Sequence, residues 1–262
     1  MDRKTFLSMA PLAGAMTLCN CGASGSEEPS EAPSAGRDYY ELRSYLVENE
    51  TQVAAIRDFL ANAAIPALNR IGIESVGVFQ PLEGLSPVYV LIPHRSAESV
   101  VTANARLLGD AAFLSAAASF LDAPPESPVF TRIESSLLAA FSGMPRMEKP
   151  VAGTSRIFQL RTYESASVVR GQKKITMFNT GEIPIFRKTG LNPVFFGEAL
   201  AGTKMPQLTY MVGFENMEAQ VANWAAFQAD PDWLVLRAVP EYAGVVSNIT
   251  NTLLKPLDCS QI

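Results

Sequence analysis

The segment Phe158-Gln159-Leu160-Arg161-Thr162-Tyr163 echoes an earlier one, Tyr40-Glu41-Leu42-Arg43-Ser44-Tyr45, that stands 118 positions upstream. The same offset, without a gap, lays Ile65-Pro66-Ala67-Leu68-Asn69-Arg70-Ile71-Gly72-Ile73 under Ile183-Pro184-Ile185-Phe186-Arg187-Lys188-Thr189-Gly190-Leu191. Two copies of about a hundred residues are too long and too few for a solenoid, so the chain is expected to be a tandem duplication of one small domain. The expected division is an export signal at 1–21, a tether at 22–37, a first module at 38–141, a link at 142–154 and a second module at 155–258.

The N-terminus opens Arg3-Lys4-Thr5-Phe6-Leu7, and an apolar run to Leu18 follows that is too short to stay in a bilayer as a helix. This is the layout of a secretory signal, similar to a twin-arginine signal with Lys in place of the second Arg; general secretion is equally open. Cys19 and Cys21 close the run and are candidate lipidation sites, although neither follows the small-residue run usual at such a cleavage site. The Gly/Ser/Glu/Pro tract after them has almost nothing to bury and is expected to be a disordered tether. The protein is therefore expected to be exported, periplasmic or at the cell surface, touching a membrane only through a lipid anchor. Twenty-one basic residues against 26 acidic ones give a net charge of −5, which argues against a nucleic-acid partner.

Period-two alternation over Asp38–Tyr45 predicts a strand with Tyr40 and Leu42 on one face and Glu41, Arg43 and Tyr45 on the other. A helix starting near Asn49 follows, with a kink or break expected at Pro66 and again at its counterpart Pro184. Strands at 75–79 and 88–92, a helix at 96–108, a helical stretch at 110–120 and a closing strand at 129–133 complete the first copy. In the second the order recurs as a strand at 156–163, a helix at 169–188, strands at 193–197 and 207–214, and helices from Met217. The fold class is α+β, twice over. In Asp230-Pro231-Asp232-Trp233 the acids are expected to cap a helix rather than bind a metal. Arg170, Lys173, Lys174, Arg187 and Lys188 are expected on solvated helix faces.

The strand motif 158–163, the segment 183–190, and Trp224-Ala225-Ala226-Phe227 leading to Asp230-Pro231-Asp232-Trp233 resemble the NIPSNAP family over residues 156 to 258. The first copy departs from that pattern at Asp110-Ala111-Ala112-Phe113, which puts its second helix in question. The resemblance implies ferredoxin-like modules of the dimeric α/β-barrel type, here two in tandem forming one pseudo-symmetric barrel. It transfers no catalytic residue.

If the apolar face of each first strand meets the helices, Glu41, Arg43, Tyr45, Gln159, Arg161 and Tyr163 point into the barrel, and these six are the candidate ligand-binding set. Buried Arg and Glu need partners. Either they pair across the halves and fix register, or the two Arg hold an anionic group while the two Tyr flank an apolar body. There is no Gly-rich phosphate loop, no His-Glu-x-x-His, no nucleophile elbow and no set of acids at metal spacing, so no metal and no cofactor are expected. Haem would want a histidine, and His94, the only one, is expected at the surface or capping a loop. Cys259 is expected to be an inert thiol. The expected role is binding of a small, partly apolar anionic molecule or of a protein partner. The alternative is a cofactor-independent enzyme of the small-barrel type, monooxygenase- or isomerase-like. Self-association is left open, since a duplicated barrel removes the need for it without forbidding it.

Overall fold

The structure, a computed structural model, describes residues 36–262; the leader, most of the tether, Cys19 and Cys21 lie outside them. The first module runs β1 (Tyr39–Leu46), α1 (Glu50–Phe59), α2 (Ile65–Arg70), β2 (Gly77–Pro81), β3 (Val88–His94), α3 (Ala97–Leu108), α4 (Ala111–Leu121) and β4 (Arg132–Ala140). The second repeats that order as β5 (Ile157–Glu164), α5 (Val168–Met177), α6 (Ile183–Lys188), β6 (Asn192–Ala201), β7 (Gln207–Phe214), α7 (Met217–Ala229), α8 (Pro231–Arg237) and β8 (Asn248–Pro256). Among the described residues no helix is long and apolar enough to cross a membrane.

The eight strands close into one antiparallel barrel in the order β1-β3-β2-β8-β5-β7-β6-β4. Each module gives its last strand to the other. β4 pairs with β1 and with β6, and β8 pairs with β5 and with β2, so the two seams are made of backbone hydrogen bonds between modules. The closing strand of the first module lies later than its expected span of 129–133: Thr131 is still in the loop, bonded to the Leu46 carbonyl, while Arg132–Ala139 pair with β1 and Leu137–Ala140 with β6.

The kinks expected near Pro66 and Pro184 are π-helical turns, Leu60–Ala64 and Phe178–Glu182, at the same offset of 118 residues. The amide of Ile65 donates to the Leu60 carbonyl and that of Ile183 to Phe178, one residue further back than in an α-helix. A proline ring clashes with the carbonyl four residues before it, and widening the turn moves that carbonyl away. The helix in question in the first copy is present. Asp110 accepts from the amides of Ala112 and Phe113 at 2.9 and 3.1 Å, as Asp230 does from Asp232 and Trp233 at 2.9 and 3.2 Å. The last residue of an earlier helix, α2 or α6, braces each cap, through Arg70 Nε at 2.9 Å and Lys188 Nζ at 2.8 Å.

Three apolar clusters result. One lies between the first module's strands and helices, around Tyr45, Ile56, Leu68, Val90 and Phe113; its counterpart gathers Tyr163, Phe178, Phe186, Tyr210 and Phe227. The third fills one end of the barrel interior with Tyr40, Phe79, Leu91, Leu138, Phe158, Phe195, Met211 and Leu254. Ile262 packs into that end beside them, and Met147 and Val151 of the segment joining the modules lie against it. That end is closed.

Candidate functional site

Pleating decides what faces the barrel interior. Along β1 the inward residues are Tyr40, Leu42, Ser44 and Leu46; along β5 they are Phe158, Leu160 and Thr162. The series thus runs from aromatic, through leucine, to hydroxyl along β1 and β5 alike. Past Leu42 and Leu160 the interior opens into a cavity of about 340 Å³ lined by Ser44, Ser136, Thr162, Thr209, Thr250 and Thr252. Tyr89 and Glu134 enter it from the first module, Lys204 and Gln207 from the second.

Four features set its chemistry. Leucines floor it, and hydroxyls that both donate and accept line its wall. The Thr162 and Thr209 hydroxyls lie 3.0 Å apart and engage each other across β5 and β7. Burial raises the pKa of the Tyr89 phenol; the Thr252 hydroxyl opposes the rise and the Glu134 charge adds to it, so the phenol stays neutral. Lys204 stands at the rim, with its Nζ donating to Thr250 Oγ1 at 3.3 Å and lying 3.9 Å from Glu164. Among the described residues no group of three His, Cys, Asp or Glu side chains could hold a metal ion.

The six side chains expected in the interior are not there. Glu41, Arg43 and Tyr45 face outward beneath the first module's helices, where Tyr45 joins the apolar cluster. Gln159, Arg161 and Tyr163 face outward beneath the second module's helices. β1 and β5 are four strands apart in the eight-stranded ring, so the two sets occupy opposite sides and form no common pocket. In an open sheet the helices would take the apolar face. A closed barrel covers both faces, and here the face with Tyr40 and Leu42 fills the interior.

Beneath the helices the two sets differ. Arg43 donates to Glu41 through Nε and Nη2 at 2.6 and 2.9 Å, and the Ser135 hydroxyl donates to the same carboxylate at 2.9 Å. Gln159 Oε1 accepts from Trp224 Nε1 at 2.5 Å, and the Tyr163 and Tyr210 hydroxyls lie 2.8 Å apart. Lys174, expected on a solvated face, is buried and donates to the buried Glu182 at 2.5 Å; desolvation raises the Glu182 pKa while Lys174 opposes the rise. His94 is also buried rather than at the surface, its Nδ1 3.0 Å from Ser99 Oγ, and burial lowers its pKa. Burial raises the pKa of the Cys259 thiol.

Residues 158–261 match the family model NIPSNAP. The second module is a NIPSNAP domain. No curated protein matches the chain in sequence. Solved structures share the fold of both modules together. A candidate monooxygenase from Lactobacillus acidophilus is 12% identical with a TM-score of 0.57, over 84% of this chain and 94% of that one. Another candidate monooxygenase, from Fusobacterium nucleatum, is 8% identical with a TM-score of 0.54, over 85% and 93%. An anthrone oxidase-like protein is 11% identical with a TM-score of 0.50, over 84% and 92%. Identities this low establish the dimeric α/β-barrel architecture alone. The family match begins at Phe158, and the NIPSNAP domain supplies Leu160, Thr162, Lys204, Thr209, Thr250 and Thr252 to the cavity.

The hydroxyls that line the mouth were legible in principle. Ser44 and Thr162 follow Leu42 and Leu160 by two positions, and Thr250-Asn251-Thr252 alternates in the same way. Small polar residues at every second position, continuing an apolar strand face, mark a face that leaves the packed core for a wet cavity.

Proposed function

We propose that the mouth of the barrel binds a small, partly apolar molecule that carries an acidic group. One observation carries the reading: a barrel whose interior is solid at one end holds a cavity of about 340 Å³ at the other, floored by leucine and walled by hydroxyls. Ligand sites are concave, of this size, and combine apolar surface with a few fixed polar groups. Among the described residues Lys204 supplies the one cation lining the cavity, and Tyr89 a neutral donor. The leader-like sequence of residues 1–21 supports a binding protein that works outside the cytoplasm.

A cofactor-independent oxidase is the second reading, supported by the monooxygenase- and oxidase-like proteins that share the fold and by Tyr89 and Glu134 facing one cavity. Binding is favoured because the raised Tyr89 pKa makes that phenol a poor base, and Glu134 is exposed at the rim. The test is native mass spectrometry of the protein recovered from its own cells, beside Thr209→Phe, which fills the cavity. A bound mass present in the wild type and lost in Thr209→Phe is expected. An empty wild type, or a mass that Thr209→Phe retains, ends the reading, and oxygen uptake with anthrone that depends on Tyr89 would replace it with the second.

A further inference from the structure

Glu41 and Arg43 on β1, and Gln159 and Arg161 on β5, hold matching outward positions in their strands, but only the first arginine is neutralised. Where Arg43 has a two-pronged bond to a carboxylate, the second module has an amide that is engaged elsewhere. Gln159 Oε1 accepts from Trp224, and its Nε2 donates to Asn251 Oδ1 at 2.7 Å. Arg161 makes no ion pair among the described residues, and its Nε is buried without a hydrogen-bond partner. Its guanidinium carbon sits 4.8 Å from the centre of the Trp224 ring and 5.5 Å from that of Tyr163. The buried carboxylate that feels the Arg161 charge, Glu182, is bound to Lys174. Arg161, Lys174 and Glu182 together therefore carry one uncompensated positive charge.

A guanidinium partly withdrawn from water and left without a counterion is costly, and its planar fork matches a carboxylate. The flank beside it is open. Its cross-strand neighbour on β8 is the exposed Asn251, and the next outward residue on that strand, Ile249, leaves 47% of its surface bare. We propose that Arg161 is an anion site for a small monocarboxylate, which sets its charge on the guanidinium and its apolar part on Ile249. A single free cation suits a monoanion; a phosphate dianion would call for a second, and Lys174 is already engaged. The site faces outward from β5, whereas Thr162, the next residue, faces the barrel mouth, so the two sites are separate.

Trp224 is the reporter. The chain has two tryptophans, and Trp233→Phe leaves Trp224 alone against Arg161. Titration of that full-length variant with sodium butyrate, at ionic strength held constant with chloride, is expected to give a saturable change in emission. Arg161→Gln should raise the half-saturation concentration at least tenfold. Calorimetric titration of the chain with both tryptophans reads the same event without the reporter substitution. Ile249→Asp, at an exposed position, should block butyrate by placing a carboxylate beside the guanidinium. The site is refuted if butyrate gives no saturable signal, or if Arg161→Gln and Ile249→Asp titrate like the parent. Phosphate binding as tightly as butyrate overturns the monocarboxylate assignment.

Discussion

Lys174 Nζ lies 2.5 Å from Glu182 Oε2, a buried ammonium against a buried carboxylate, and 118 positions earlier the same two places hold Ile56 and Ala64. The first module shows that this site can be apolar, so the ion pair is an addition peculiar to the second. Lys174 also lies 4.4 Å from the Phe178 ring centre, within the π-helical turn that ends at Glu182.

Removing one partner strands a buried charge, and removing both does not. Lys174→Met alone and Glu182→Leu alone are each expected to cost about 3–5 kcal/mol, whereas the double variant, which keeps similar volumes, is expected within about 1 kcal/mol of wild type or above it. Urea denaturation midpoints at equal slope decide it. A double variant that loses as much as the two singles together would show the pair to be a net source of stability.

Glu41 gives a pH dependence of definite sign. Burial pushes its carboxyl up, but the bonds and charge of Arg43, with the Ser135 hydroxyl, outweigh burial and hold it below the ordinary carboxylate value. A folded-state pKa below the unfolded one adds stability above the unfolded value, about 4.3, and that stability is lost as pH falls through the folded one. With 18% of the Glu41 side chain and 30% of the Arg43 side chain exposed, the difference between wild type and Glu41→Gln is expected to be about 1–2 kcal/mol. It should be flat from about pH 8 to 5.5 and shrink below about pH 4. A gap that widens on acidification contradicts the assignment. The variant also recreates the Gln159 and Arg161 arrangement of the second module.

The offset of 118 residues carries most of what the sequence discloses about the fold. It places the first three strands of each module, the paired prolines and the matched ends of α2 and α6, because those depend on local spacing and on residues that break an α-helix, but not the closing strands β4 and β8. It could also have located the buried ion pair, since laying Lys174 over Ile56 and Glu182 over Ala64 sets charges on an apolar helix face. Face polarity was a different matter. Alternation in Tyr40–Tyr45 shows that the strand has two unlike faces, but which one meets the helices depends on barrel closure, a long-range property absent from any six-residue window. His94 is hidden for a similar reason: a polar residue at a strand end is usually exposed, and the packing of α3 against β3 covers this one.

Gly197 tests whether the seam between the modules is as tightly set as its geometry implies. It lies on β6 between Ala140 of β4 and Thr209 of β7, where the second module's sheet meets the first. A Cβ built there would stand 2.7 Å from Leu138 Cβ and 3.3 Å from its Cδ1. Leu138 cannot relieve that by changing rotamer, because the offending atom is attached to its backbone; β4 itself must move. Gly197→Ala is therefore expected to cost about 1–3 kcal/mol, the range for overpacking a filled site. Gly171 in α5 supplies the contrast, since a Cβ there meets nothing closer than 3.7 Å. Alanine in place of a helical glycine stabilises by about 0.5–1 kcal/mol, so Gly171→Ala should raise the unfolding midpoint. Opposite signs from one chemical change are the expected result. If Gly197→Ala is neutral, β4 and β6 can slide apart at little cost, and the modules are coupled more loosely than a continuous eight-stranded ring requires.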